Sequence, residues 1–201
     1  MQLTKNGVRV ERIGGALWIE ADGTGLLIDA PAGTAQALGD RVRTLRSVLL
    51  LTGRLERVSG LVSVFGRLGR DADSPLVVRF PLSDERGATL AEAWQRSWGD
   101  YPITLDAVAP GQPFDIGPAE ARSVALRDPQ GDFPPLGVQI AWRDVQISVL
   151  SRCVRDGAAR SICRGADLVI CELGGGGLSA AQAVDLAGDA ELWVEPVLSD
   201  V

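Results

Sequence analysis

The succession of apolar patterns along this chain predicts an α/β fold of the α+β kind, built on two sheets with helices on the outside. Three observations carry that expectation. Short apolar or alternating runs bounded by turn residues read as strands in both halves. Segments with apolar residues at helical spacing follow individual strands instead of gathering at one end. The second half then repeats the order of the first, strands before helices. No sequence repeat, low-complexity tract or linker divides the 201 residues, so one domain over residues 1–201 is expected. The pattern alone leaves the connectivity open.

Gly7 to Arg12 and Ala16 to Ala21 read as strands, and in the second Leu17 and Ile19 alternate with Trp18 and Glu20. Asp22-Gly23-Thr24-Gly25 is a hairpin-type turn that leads back into Leu26-Leu27-Ile28-Asp29. A helix is expected over about Thr34 to Leu45, with Ala37, Leu38, Val42 and Leu45 at helical spacing. A buried strand, Ser47 to Thr52, precedes a helix from about Val58 to Leu68. Leu76 to Phe80 is the next strand, and Leu82-Ser83-Asp84 starts a helix whose Leu90, Ala93, Trp94 and Ser97 share a face. Core packing explains Trp94 and Trp98, four apart, unless that face is exposed, in which case it marks an interface.

Residues 99 to 118 are rich in Pro, Gly and Asp and predict short strands at best, such as Ile103 to Val108. Strands follow at Arg122 to Leu126, Val138 to Trp142 and Val145 to Leu150, the last two joined by a tight Arg143-Asp144 turn. A helix over Val154 to Arg164, a strand Asp167 to Glu172, a glycine turn 174 to 177, a helix Ser179 to Ala187 and a strand Leu192 to Glu195 complete the reading.

The composition narrows the function. A net charge of −6 gives the molecule no general attraction for nucleic acid or anionic membrane. Lys5 is the only lysine, so arginine carries the positive charge, a bias expected of a GC-rich bacterial genome. No stretch approaches the roughly 20 apolar residues of a membrane span, and the first residues lack a signal-peptide core, so a cytoplasmic location is expected. Cys153, Cys163 and Cys171 are odd in number and lack CxxC spacing, which points to buried free thiols. The chain contains no histidine.

That last fact matters because of residues 51 to 61, LTGRLERVSGL, at the end of a hydrophobic strand. The stretch resembles THxHxDHxxGL, the zinc motif of the metallo-β-lactamase superfamily, and the chain is similar to the ribonuclease Z-like branch from about residue 7 to 196. Leu26-Leu27-Ile28-Asp29-Ala30-Pro31-Ala32-Gly33-Thr34 resembles the family's LLIDxGxGT. Val149-Leu150-Ser151-Arg152-Cys153 fits YSGDT, Gly165 to Glu172 fits GADLLIHE, and Gly176-Gly177-Leu178-Ser179 fits GHLS. The resemblance implies a four-layer αββα sandwich and a two-zinc hydrolytic site.

It also implies that the ligands are gone. The first histidines fall on Thr52 and Arg54, the aspartate on Glu56 and the next histidine on Arg57. Arg127 stands for another histidine, Arg152 for the bridging aspartate, Gly177 and Pro196 for the last ligands. Asp29 and Glu172 are kept. A protonated guanidinium cannot act as a ligand, which needs a neutral imidazole or an anionic donor. No residue is therefore assigned as catalytic or as a metal ligand, and no cofactor is expected. The chain also lacks room for the long arm with which ribonuclease Z holds tRNA.

If the alignment holds, Arg54, Arg57, Arg127 and Arg152 converge on the former metal site. One reading is charge replacement, with the arginines pairing Glu56, Asp29 and Asp128. The other is a pocket for a small anion gripped by arginine forks, to which the Gly174, Gly175, Gly176 and Gly177 loop could add backbone N–H groups. The functional expectation is a non-catalytic protein, a pseudoenzyme acting through protein–protein interaction as a homodimer or as the inactive partner of another protein. The alternative is a sensor of a nucleotide, phosphate or carboxylate.

Overall fold

Among the residues that this computed structural model describes (2–69, 75–98, 100–131 and 134–196), thirteen strands form two sheets. The chain divides into two compact units, residues 1–107 and 108–201, each with its own sheet.

In the first unit, β1 (Gln2–Lys5), β2 (Val8–Ile13), β3 (Ala16–Ala21) and β4 (Thr24–Ile28) form an antiparallel meander. The β3–β4 turn is the expected one: Asp22 and Gly23 both have positive φ (54° and 70°), as the tight primed turns of hairpins require. β5 (Leu45–Leu49) and β6 (Leu76–Pro81) extend the sheet in parallel, and β7 (Ile103–Val108) forms its far edge. Helices α1 (Thr34–Leu38), α2 (Leu55–Val58), α3 (Leu61–Leu68) and α4 (Glu85–Trp98) connect these strands. Trp18, Leu27, Val48 and Val78 from one face of the sheet pack with Leu38 of α1, Leu61, Val64 and Phe65 of α3 and Trp94 of α4. Phe65 meets Trp94 edge to face, with ring centroids 6.1 Å apart. Trp94 is thus a core residue, while the side chain of Trp98 lies outside the described residues.

The second unit runs β8 (Pro113–Ile116), β9 (Ala119–Ala125), β10 (Leu136–Trp142) and β11 (Val145–Leu150) as an antiparallel meander. It then adds β12 (Leu168–Leu173) and β13 (Glu191–Pro196) in parallel, through α5 (Gly157–Cys163) and α6 (Ala180–Ala187). Both units are therefore a meander followed by parallel crossovers, the common order expected of the two halves. Asp156 caps α5 by accepting from the Ala159 N–H, and Ser179 with Gln182 forms a reciprocal capping box on α6. Leu150, Val169 and Cys171 pack against Ile162 and Cys163 of α5 and Ala183 and Leu186 of α6.

Several expected boundaries shift for local reasons. The helix expected over Thr34 to Leu45 is only α1 followed by a 3-10 turn, Gly39–Thr44, because Gly39 takes φ 56° and ends the α-helix. Leu45 belongs to β5, which stops at Leu49, before the expected Thr52. The expected Val58–Leu68 helix is split by Ser59 and Gly60 into α2 and α3. Asp156 delays α5 to Gly157, and the Pro- and Gly-rich 99–118 region yields two definite strands, β7 and β8. The strand β1 was not expected from its polar sequence.

Gly60 shows why the Gly-Leu pair of the motif survives. Its N–H donates to the Ala30 carbonyl at 2.8 Å, and the Ala30 N–H donates to the Arg57 carbonyl at 2.7 Å. A Cβ at position 60 would sit 2.0 Å from the Pro31 carbonyl oxygen, so the two backbones can approach this closely only at glycine. Gly60→Ala must push the 57–60 segment off Pro31, and a loss of about 2 kcal/mol is expected in urea unfolding. A change below about 0.5 kcal/mol would show that the approach is dispensable. No helix among the described residues is long and apolar enough to cross a membrane.

Candidate functional site

In the first unit, the segment after β5 that carries the motif is held by two buried carboxylates. Asp29 directly follows β4 with φ 58°, a left-handed conformation that a short polar side chain tolerates. Its Oδ1 accepts from the Leu51 N–H at 2.9 Å, and its Oδ2 lies 3.6 Å from Nη1 of Arg57. Both side chains of that pair are buried. Burial pushes the Asp29 carboxyl up; Arg57, the Leu51 N–H and Arg12 pull it down and Glu56 adds to the rise, and the net result is a raised pKa. Arg12 is pushed down to about 10 by its own burial and the charge of Arg57, against the pull of Asp29. Arg54 faces Glu56 at 4.0 Å, with both side chains partly exposed.

The second carboxylate, Asp84, precedes α4 and is fully buried. Its Oδ2 accepts from the Gly53 N–H at 2.6 Å and from the Thr52 hydroxyl at 3.1 Å, while its Oδ1 accepts from the N–H and Nε of Arg86, each at 3.1 Å. Burial tends to raise the Asp84 pKa, but the Gly53 hydrogen bond, Arg86 and the Thr52 hydroxyl outweigh it and hold the carboxyl below its usual range. Gly53 is wedged here, since a Cβ would stand 2.5 Å from the Gly87 nitrogen. Thr52 is thus a tether between β5 and α4.

In the second unit, Glu172 accepts the Arg152 N–H at 2.9 Å, so the end of β12 pins the segment after β11. The Arg152 side chain is buried, with Nε 3.7 Å from Asp128 Oδ1 and Nη2 donating to Gln130 Oε1 at 2.6 Å. Arg127 is exposed. The glycine loop closes on itself through Gly177 N–H to the Gly174 carbonyl and Gly174 N–H to the Leu178 carbonyl, with Gly174, Gly175 and Gly176 all at positive φ. A Cβ at Gly177 would lie 2.8 Å from the Cys153 carbonyl oxygen and 3.5 Å from Arg152 Cγ. Leu126, Arg127, Asp128, Pro129, Gln130 and Gly176 are among the residues that line an open cavity of about 470 Å³ within this unit. Cys153, Cys163 and Cys171 are buried and unbridged, and burial pushes their thiols up to about 12, 12 and 11, so they are protonated core groups.

Of the residues singled out in the sequence, the structure groups Asp29 with Arg57, and Arg54 with Glu56, in the first unit. It groups Arg152 with Glu172 in the second and places Arg127 and Gly176 on one cavity. The side chain of Pro196 lies outside the described residues. Sequence reasoning missed Asp84, Arg12 and Gln130. The helix start at Asp84 was visible, but its bond to Gly53, 31 residues away, was not.

No family model matches the chain, and no curated protein matches it in sequence. Solved structures do. The metallo-β-lactamase fold protein YhfI from Bacillus subtilis aligns with a TM-score of 0.76 at 15% identity, over 92% of this chain and 80% of that one. The short form of human tRNase Z aligns with a TM-score of 0.69 at 15% identity, over 88% of this chain and 82% of that one. Zn2+-bound PqqB from Methylobacterium extorquens aligns with a TM-score of 0.64 at 14% identity, over 93% and 68%. With two sheets, their helices and these likenesses, the chain has the metallo-β-lactamase fold.

Proposed function

We propose that this is a non-catalytic protein of the metallo-β-lactamase fold that works by binding another protein, as a homodimer or as the inactive partner of another chain. One observation carries the reading: the acids retained from the motif already have their oxygens engaged. Asp29 holds the Leu51 N–H and faces Arg57, and Glu172 holds the Arg152 N–H. The residues present do not fit a pair of zinc ions. The ligand positions carry Thr52, Arg54, Arg57, Arg127, Arg152, Gly177 and Pro196, none of which offers an imidazole or an anionic donor, and Glu56, a single carboxylate that faces Arg54. Among the described residues, no three His, Cys, Asp or Glu side chains gather in a way that could hold a metal ion. A metal-activated water, the usual nucleophile of a metallohydrolase, would find no such cluster among the described residues to hold its metal.

The protein-binding half of the proposal draws on exposed apolar groups beside the motif. Leu55 on α2 is 70% exposed and Leu82, just after β6, is 59% exposed. They lie within three residues of Thr52 and Asp84, the two groups whose hydrogen bond joins these segments. Large apolar side chains are usual at the centre of an interface, where truncation or charge is felt most.

The test combines zinc dialysis, a phosphodiester hydrolysis assay and native mass spectrometry. The expected results are no retained zinc, no hydrolysis above buffer, and a dimer that Leu55→Glu converts to monomer without changing the unfolding midpoint. Two retained zinc ions with turnover would overturn the non-catalytic reading. A monomer at every concentration would overturn self-association and leave the inactive-partner form to be tested by copurification. The second reading, a binding protein for a small anion, is favoured by the cavity beside Arg127.

A further inference from the structure

We infer that the cavity of the second unit binds a small organic phosphate monoester, with Arg127 and the glycine loop as its anion grip. The inference rests on the second reading above, and it takes the chain as non-catalytic. Its starting point is that the arginines singled out in the sequence are not equivalent. Arg57 faces Asp29, Arg54 faces Glu56, and Arg152 is held by Asp128 and Gln130. Arg127 differs: among the described residues its guanidinium has no hydrogen bond or ion pair, and it is exposed on the wall of the cavity.

The glycine loop supplies the second half of the grip. The Gly175 and Gly176 N–H groups make no hydrogen bond among the described residues, whereas those of Gly174 and Gly177 close the loop. Gly176 lines the same cavity as Arg127, and a Cβ there would stand 3.6 Å from Pro129, so the loop lies close to the wall. A guanidinium fork together with backbone N–H groups offers donors in more than one plane, which suits a tetrahedral oxyanion.

Asp128 also lines the cavity, and an unpaired carboxylate would repel an anion. It is instead buried, accepts the Gln130 N–H at 3.0 Å and faces Arg152 at 3.7 Å, so its charge is met from behind. Gln130 in turn accepts from Arg152, which makes that buried arginine a brace for the 128–130 wall rather than a ligand contact. Leu126, Pro129, Pro134 and Val154 supply apolar lining, which an inorganic ion alone would leave in contact with water. A volume of about 470 Å³ accommodates a mononucleotide-sized ligand.

The experiment is calorimetric titration of the purified protein with AMP, inorganic phosphate and adenosine, alongside an assay for phosphate released from AMP. AMP is expected to bind with a Kd of about 1 mM or tighter, phosphate more weakly, and adenosine not measurably. Arg127→Gln should weaken AMP binding at least about tenfold. Arg127→Lys should retain part of it, because an ammonium keeps the charge and loses the fork. Because Arg127 is exposed, both variants should unfold at the wild-type midpoint. Arg67→Gln removes the same charge from an exposed position in the first unit and should leave binding unchanged.

Absence of AMP and phosphate binding up to about 10 mM overturns the proposal, as does binding that Arg127→Gln leaves intact. Release of phosphate from bound AMP would overturn the non-catalytic reading instead, and leave the binding site standing.

Discussion

Asp84→Ala is expected to destabilise the protein by about 3 kcal/mol, because it removes the buried carboxylate that joins the motif segment to α4. The fully buried carboxylate accepts from Gly53, from Thr52 and from Arg86, and alanine leaves the two buried donors, the Gly53 N–H and the Thr52 hydroxyl, without this acceptor, while the partly exposed Arg86 can turn to water. Leaving a buried donor unsatisfied costs about 1 to 3 kcal/mol, so two of them account for the figure. Asp84 also caps α4 through the Arg86 N–H, which adds about 1 kcal/mol of helix stabilisation to lose. Urea unfolding at neutral pH measures the change, and a loss below about 1 kcal/mol would mean that the junction is not a support.

The same residue gives the acid limb of stability a definite sign. The Asp84 pKa is lowered on folding, so its contribution is present above the ordinary carboxylate range and is lost as pH falls through its folded value. Asp84→Asn keeps one acceptor and should be less destabilised than Asp84→Ala. It should also show a shallower decline of stability below about pH 4, because the titrating group is gone.

Arg57→Ala is expected to destabilise by about 3 kcal/mol, at the lower end for breaking a buried ion pair, because Arg12 still faces Asp29. The loss depends on pH in a way that packing alone does not. Burial already raises the Asp29 pKa, and Arg57 opposes that rise, so its removal lifts the carboxyl further. A carboxyl with a raised folded pKa contributes stability below its unfolded value and loses it as pH rises through the folded one. The penalty of Arg57→Ala should therefore be larger at pH 7 than at pH 5, because lower pH favours the protonated carboxyl that needs no partner. Adding Asp29→Asn, which keeps an acceptor for Leu51 N–H, should recover part of the loss at pH 7. A penalty that is equal at both pH values would assign the effect to lost packing.

The pairing of Arg57 and Arg152 with carboxylates gives each of these segments an internal support. Asp29 and Glu172 each bind a backbone N–H just past the end of a neighbouring parallel strand, so each has a structural task of its own. Gly60 and Gly53 serve a different purpose, the close approach of another backbone.

The fold class was legible because periodicity is local: alternating runs such as Ala16–Ala21 and the glycine and aspartate turns at 22–23 and 143–144 specify strands and hairpins through near neighbours. The likeness of the ordered fragments to the fold family was legible for the same reason, and the solved structures bear out the fold. Helix bounds were less so, since Gly39 and Gly60 interrupt spacing that looked continuous.

What each charged residue does could not be read from the chain. Asp84 meets Gly53 across 31 positions, Arg57 meets Asp29 across 28, and Arg152 meets Gln130 across 22. Arg127 and Arg152 look alike in sequence, yet one is exposed and lacks a partner among the described residues, while the other is buried against Asp128. The sequence by itself determined which chemistry is missing, because a chain without histidine cannot offer an imidazole anywhere. Only the tertiary structure decided which arginine is neutralised and which is available, because burial and long-range pairing set the charge that a ligand would meet.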